Sequence, residues 1–134
     1  MRVFADSFYF IALINAGDVH HVAIADYARR RRGLVVTTRW VLVEVADALG
    51  GPAYRNRVAA LIDRLEWHSN FLVLGDSDDL FTRGLDLYRR RTDKHWSLTD
   101  CISFVVMERE GLREALTGDR DFAQAGFVAV FAEP

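Results

Sequence analysis

Apolar and polar positions along the chain follow two different periods. Short runs at 2–5 (RVFA), 34–37 (LVVT), 71–74 (FLVL), 114–118 (EALTG) and 128–131 (VAVF) have the length of buried strands. Longer stretches of helical character separate them. The run from Ser7 to Ala16 is too long and continuous for a strand, which predicts a buried helix stopped by Gly17. Asp18 is placed to cap a helix over 19–32, with Val19, Val22, Ala23 and Tyr27 at helical spacing and a cationic end that suits the helix dipole; Gly33 stops it. Thr38 heads a helix over 39–50, closed by Gly50 and Gly51. Pro52 suits the first turn of a helix over 52–68, whose inner face is Val58, Leu61, Ile62 and Leu65. Asp76 or Ser77 opens the next helix, which carries Leu80, Leu85, Leu87 and Tyr88 and ends in a run of arginines at 89–91. Ser97 heads a helix over 98–110 that ends at Gly111, and a helical turn over 120–125 follows Asp119.

Strands alternating with helices favour parallel pairing with a helix layer on each face. The expected architecture is a three-layer α/β/α domain with a central, mostly parallel sheet of about five strands. Such sheets bind ligands at the carboxyl ends of their strands, and Asp6 and Asp119 each follow directly on one.

With 134 residues, 51% of them hydrophobic and 27% charged, the chain suits one globular domain spanning 1–134. A core of that size needs no disulfide or structural metal to fold, and Cys101 has no intrachain partner. The apolar run around it suggests a buried, inert thiol and a reducing, cytoplasmic setting. Asp6 interrupts the signal-like N-terminus, and no apolar stretch is long enough to span a bilayer, so neither export nor membrane insertion is expected.

The net charge of −2 argues against a simple nucleic-acid coat, but its distribution is more informative. Arginines are massed at 29–32 and at 89–91, with Lys94 and His95 just after the second block. Asp6, Glu44, Asp100, Asp119 and Asp121, if they converge, would form an acidic pit in a mildly basic surround.

Each acid also has a plainer reading. Asp6 can cap the helix that starts beside it, and Ser97 with Asp100 has the form of a capping box. Asp119 can cap the turn that follows, and Asp121 suits a solvated charge at a helix start. Glu44 is harder to dismiss: it sits among Trp40, Val41, Leu42, Val43, Val45, Ala46, Ala48 and Leu49, a helix that reads as buried all round. An ionised carboxylate there needs a distant arginine, a metal or a proton. Gathered into one cluster, the four acids Asp6, Glu44, Asp100 and Asp119 offer oxygen ligands only, which select a hard cation such as Mg²⁺ or Mn²⁺. His20 and His21 lack the spacing of a zinc helix. Trp40, Trp67 and Trp96 read as core or dimer interface.

The stretches VFADSFYFIALIN, TTRWVLVEVADAL, WSLTDCISFVVMEREG and ALTGDRDFAQAGF, in this order through the whole chain, resemble the PIN domain, and within it the VapC-like ribonuclease toxins of bacterial toxin–antitoxin pairs. That resemblance implies an endoribonuclease in which Asp6, Glu44, Asp100 and Asp119 are catalytic and hold Mg²⁺ or Mn²⁺. It gives Ser7, Thr99 and Thr117 as supporting hydroxyls and Asp121 a secondary role. It further implies an RNA substrate, a small cognate antitoxin whose extended segment covers the groove, and a homodimer. Arg89, Arg90, Arg91 and Lys94 would meet RNA phosphates, against the plainer reading of solvated helix-end charge. Two other functions stay in view. A phosphatase or receiver of the kind that begins with an Asp after the first strand would need a second Asp where Phe8 stands, and a lysine near a late strand, whereas Lys94 is in a loop. A catalytically silent PIN-like module would keep the fold for binding RNA or a protein partner.

Overall fold

The computed structural model describes residues 1–134. In chain order the elements are β1 (Val3–Ala5), α1 (Ser7–Ile14), α2 (His21–Arg30), β2 (Val35–Thr38), α3 (Arg39–Ala48), α4 (Arg55–Trp67), β3 (Phe71–Leu74), α5 (Asp78–Arg90), α6 (Leu98–Arg109), β4 (Glu114–Leu116), α7 (Arg120–Gln124) and β5 (Val128–Ala129). The five strands form one sheet in the order β3-β2-β1-β4-β5, every pair parallel. Phe4 of β1 lies between Val36 of β2 and Ala115 of β4, so β1 is central and its three residues are wholly buried. The chain adds β2 and β3 on one side of β1 and then β4 and β5 on the other. The reversal makes the carboxyl ends of β1 and β4 the edge at which sheets of this kind bind ligands.

Local chemistry explains several boundaries. Thr38 ends β2 and caps α3, its hydroxyl accepting from the Val41 amide at 3.1 Å. Ser77 caps α5 in the same way through Asp79. At Gly84 a Cβ would stand 2.3 Å from Cγ1 of Ile102, so the bare backbone is what lets α5 and α6 pack as closely as they do.

Several expectations change: Pro52 lies in a turn, so α4 starts only at Arg55, and β4 has three residues instead of five. The segment after Gly17 makes a turn before α2, with the Asp18 carboxylate accepting from the His20 amide at 2.8 Å, and the helix starts only at His21. Its inner face is therefore Ile24 with Tyr27 and Ala28, while Val19 and Val22 are 89% and 79% exposed. Helix α3 is not buried all round: Val43 is 58% exposed, and Asp47 and Ala48 also face solvent. Strand β5 has two residues instead of four, after which the Phe131 amide bonds the Thr117 carbonyl at 2.9 Å.

Candidate active site

Asp6 stands where β1 gives way to α1, and it does not cap the helix. It is 4% exposed; Oδ2 accepts from the Thr117 hydroxyl at 2.9 Å, and Oδ1 is buried with no hydrogen-bond partner. No other buried side-chain oxygen or nitrogen in the molecule is left unpaired. Leaving such a group unsatisfied typically costs about 1–3 kcal/mol, so something outside the chain is expected to meet it.

Thr117 joins two acids. Its hydroxyl donates to Asp6 and accepts from the Asp119 amide at 3.1 Å. Between them, Gly118 passes so close to the Phe8 ring that a Cβ would lie 2.6 Å from Cζ, which keeps the step from β4 to Asp119 tight. Asp119 caps α7 through the Asp121 amide at 2.8 Å. Asp100 forms the expected capping box with Ser97, at 3.0 and 3.3 Å, and also turns its carboxylate toward Asp119 and Asp121. Oxygens of Asp100, Asp119 and Asp121 lie within 4.8 Å of one another. Glu44 is half-buried and accepts a short 2.5 Å bond from the Ser7 hydroxyl.

Burial raises the Asp6 carboxyl to about 7, with the charges of Asp100 and Glu44 adding to it; the Ser7 amide, near but not aligned as a donor, and the Thr117 hydroxyl pull the other way. Burial likewise lifts Asp100 to about 6, opposed by the Ser97 amide and reinforced by Asp119 and Glu44. Asp121 is raised by burial and by Asp119, against a nearby His95. None of these five acids has a cationic side chain within ion-pair distance.

The sequence model of the PIN domain matches residues 3–128. The chain belongs to the PIN domain family. It is 32% identical over 132 residues to the 23S rRNA-specific endonuclease VapC20 of Mycobacterium tuberculosis, in both strain CDC 1551 / Oshkosh and strain H37Rv, covering 98% of this chain and 99% of the relative. The crystal structure of M. tuberculosis VapC20, described as a sarcin–ricin loop cleaving toxin, superposes with a TM-score of 0.85 at 28% identity, over 96% of this chain and 98% of that one.

Of the acids read from sequence, Asp100, Asp119 and Asp121 lie together and Asp6 and Glu44 stand within electrostatic reach of Asp100, and two readings are adjusted. Asp121, given a secondary place, is one of the three mutually close carboxylates. The Thr99 hydroxyl bonds none of the acids; only its carbonyl is engaged, accepting from Ser103 at 3.0 Å. The basic run also divides. Arg91 forks onto both oxygens of Asp93 at 3.0 Å and lies 5.0 Å over the Trp96 ring, and Lys94 lies 5.8 Å over the same ring. Arg89 makes only a 4.0 Å pair with Asp86, and Arg90 makes none. In the earlier block, Arg29 and Arg30 both reach Asp26, and Arg31 bonds Tyr27 and the carbonyls of Gly33 and Met1. His21 bonds the Ala12 carbonyl, and buried Cys101 has its thiol raised to about 11 by burial.

Proposed function

We propose that this PIN chain is a divalent-metal-dependent endoribonuclease, the toxin of a toxin–antitoxin pair, and that its substrate is ribosomal RNA, the class named for its VapC20 relative. One observation carries the reading: a buried, unpartnered Asp6 oxygen beside a group of carboxylates that no side-chain cation neutralises. An all-oxygen donor set of this kind fits Mg²⁺ or Mn²⁺, held by Asp100, Asp119 and Asp121 with Asp6 and Glu44 bordering them. When bound, such an ion activates water at neutral pH and offsets charge on a phosphate.

The chain's own residues supply the rest. Thr117 and Ser7 aim the Asp6 and Glu44 carboxylates, and the cap bonds of α6 and α7 fix Asp100 and Asp119. One of the bordering carboxylates, Asp6 or Glu44, is suited to accept the proton of an attacking water. Arg89 and Arg90 are free to meet phosphates, with Arg91 and Lys94 behind them at the Trp96 ring. An antitoxin that presents an arginine would find an uncompensated acidic cluster to pair with. Trp40 and Phe81, ring centroids 6.5 Å apart, form with the exposed Val43 an apolar patch suited to a homodimer. No helix is long and apolar enough to cross a membrane, and we place the protein in the cytoplasm.

The test is cleavage of 23S rRNA and of a sarcin–ricin-loop fragment by purified protein freed of antitoxin, with Mn²⁺, with Mg²⁺ and with chelator. Metal-dependent cutting that is lost in Asp6→Asn is the expected result. Binding of RNA without cutting under every condition would favour the silent module.

A further inference from the structure

The three mutually close carboxylates come from two elements that no backbone ladder holds together. Asp100 is in the first turn of α6, whereas Asp119 and Asp121 cap and open the five-residue α7 on the far side of β4. Their like charges push these elements apart, so a connection between α6 and α7 has to set the spacing.

A single hydrogen bond spans the gap. The Trp96 indole N–H donates to Oε1 of Gln124, the last residue of α7, at 2.8 Å. An indole nitrogen can only donate, so the amide oxygen must face it. No other hydrogen bond joins the segment 91–109 to the segment 119–125. Behind it, edge-to-face rings carry the same connection through the core: Trp96 on Phe104 at 5.0 Å, and Phe104 on Phe122 at 4.9 Å. Phe122 is fully buried and follows Asp121 directly. The outer face of Trp96 is covered by Arg91 and Lys94, and Trp96 itself precedes the Ser97 cap that orients Asp100.

We infer that Trp96 and Gln124 are positioning residues whose hydrogen bond sets the separation of Asp100 from Asp119 and Asp121, and thereby the affinity of the acid cluster for a divalent cation. The inference rests on the proposed metal site. It gives Arg91, and with it Lys94, a duty in holding the indole in place for that bond.

The experiment is calorimetric titration of Mn²⁺ into the metal-free full chain, for wild type, Trp96→Phe, Gln124→Met and the double variant, with melting temperatures in chelator measured alongside. Trp96→Phe keeps a ring in the aromatic stack, and Gln124 is exposed, so at least the second variant retains the fold. Each single variant is expected to weaken Mn²⁺ binding roughly tenfold, as losses of groups that orient metal ligands do, while melting in chelator shifts by only a few degrees. The double variant is expected to bind no more weakly than either single one, because both remove the same bond. Wild-type Mn²⁺ affinity in both single variants, or losses that add in the double variant, would overturn the inference and leave the metal site standing. Absence of saturable Mn²⁺ binding in wild type would overturn the inference and the metal site together.

Discussion

The two charged regions of this molecule are built on opposite rules. At the carboxyl edge of the sheet five acids gather and no side-chain cation meets them. On the outer helices several arginines are answered: Arg30 reaches Asp26 at 2.6 Å, Arg39 bridges Glu66 and Asp76, and Arg91 pulls the Asp93 carboxyl down to about 2. Pairing part of the surface charge while leaving like charges opposed at one sheet edge gives up stability at that edge. Two ionised carboxylates 4.8 Å apart repel by about 3 kcal/mol at an effective dielectric of 20. That localised cost is what the proposed cation would offset.

The largest effect that sharpens the contrast is at Asp100, whose carboxyl is close to Asp119 and Asp121 and also feels Glu44. Asp100→Asn should lower metal-dependent RNA cleavage by at least about a hundredfold, beyond what loss of a mere orienting group costs. The same variant should melt higher than wild type in chelator above pH 7, because one of the opposed charges is gone; differential scanning fluorimetry reads it.

Next in size is the linkage to pH. The folded-state values of Asp6 and Asp100 are raised to about 7 and about 6, above the ordinary 3.8, so folding favours their protonated forms. The stability they allow is present in full below pH 4 and is lost as pH rises through 6 and 7. Metal-free protein should therefore lose melting temperature across that window. A divalent ion at about a hundred times its dissociation constant should restore about 2.7 kcal/mol, on the order of 10 °C.

Thr117→Val tests the scaffold of the acid region, since it strips the Asp6 carboxylate and the Asp119 amide of one partner each. A loss of about 1–3 kcal/mol in urea denaturation is expected.

How much of this contrast is legible in the sequence differs by residue. Asp6, Asp100 and Asp119 stand out through strand ends and cap positions, which are local patterns. Glu44 stands out for a reason only half right: the apolar residues around it are real, but Val43 and Asp47 face solvent, and a carboxylate on a half-exposed helix is less strained than the composition implies. Asp121 looks minor in the sequence because an aspartate at a helix start is ordinarily a partner of the dipole; only the packing of α7 beside α6 brings it to Asp100. The inner face of α2 differs from its sequence pattern because the Asp18 turn delays the helix to His21. The division of the basic run depends on Trp96, whose bond to Gln124 crosses 28 positions and leaves no periodic trace.

On the basic side, Arg89→Ala with Arg90→Ala should weaken RNA binding and lower the slope of log affinity against log salt by about 1.4, roughly 0.7 for each phosphate no longer neutralised on single-stranded RNA. An unchanged slope measured by fluorescence anisotropy would return both to plain surface charge. The smallest effect is expected at Asp26→Ala, which breaks exposed pairs to Arg29 and Arg30 and should cost less than about 0.5 kcal/mol by chemical denaturation.

The claim on which the rest depends is that the opposed carboxylates form a cation site. Mn²⁺ titration of the metal-free chain at about pH 6.5, between the raised values of Asp6 and Asp100, in two buffers of different ionisation enthalpy, tests it most directly. Saturable binding with a buffer-dependent heat, the signature of protons displaced from those carboxyls, is the result predicted. A titration that shows only heats of dilution in both buffers would contradict it.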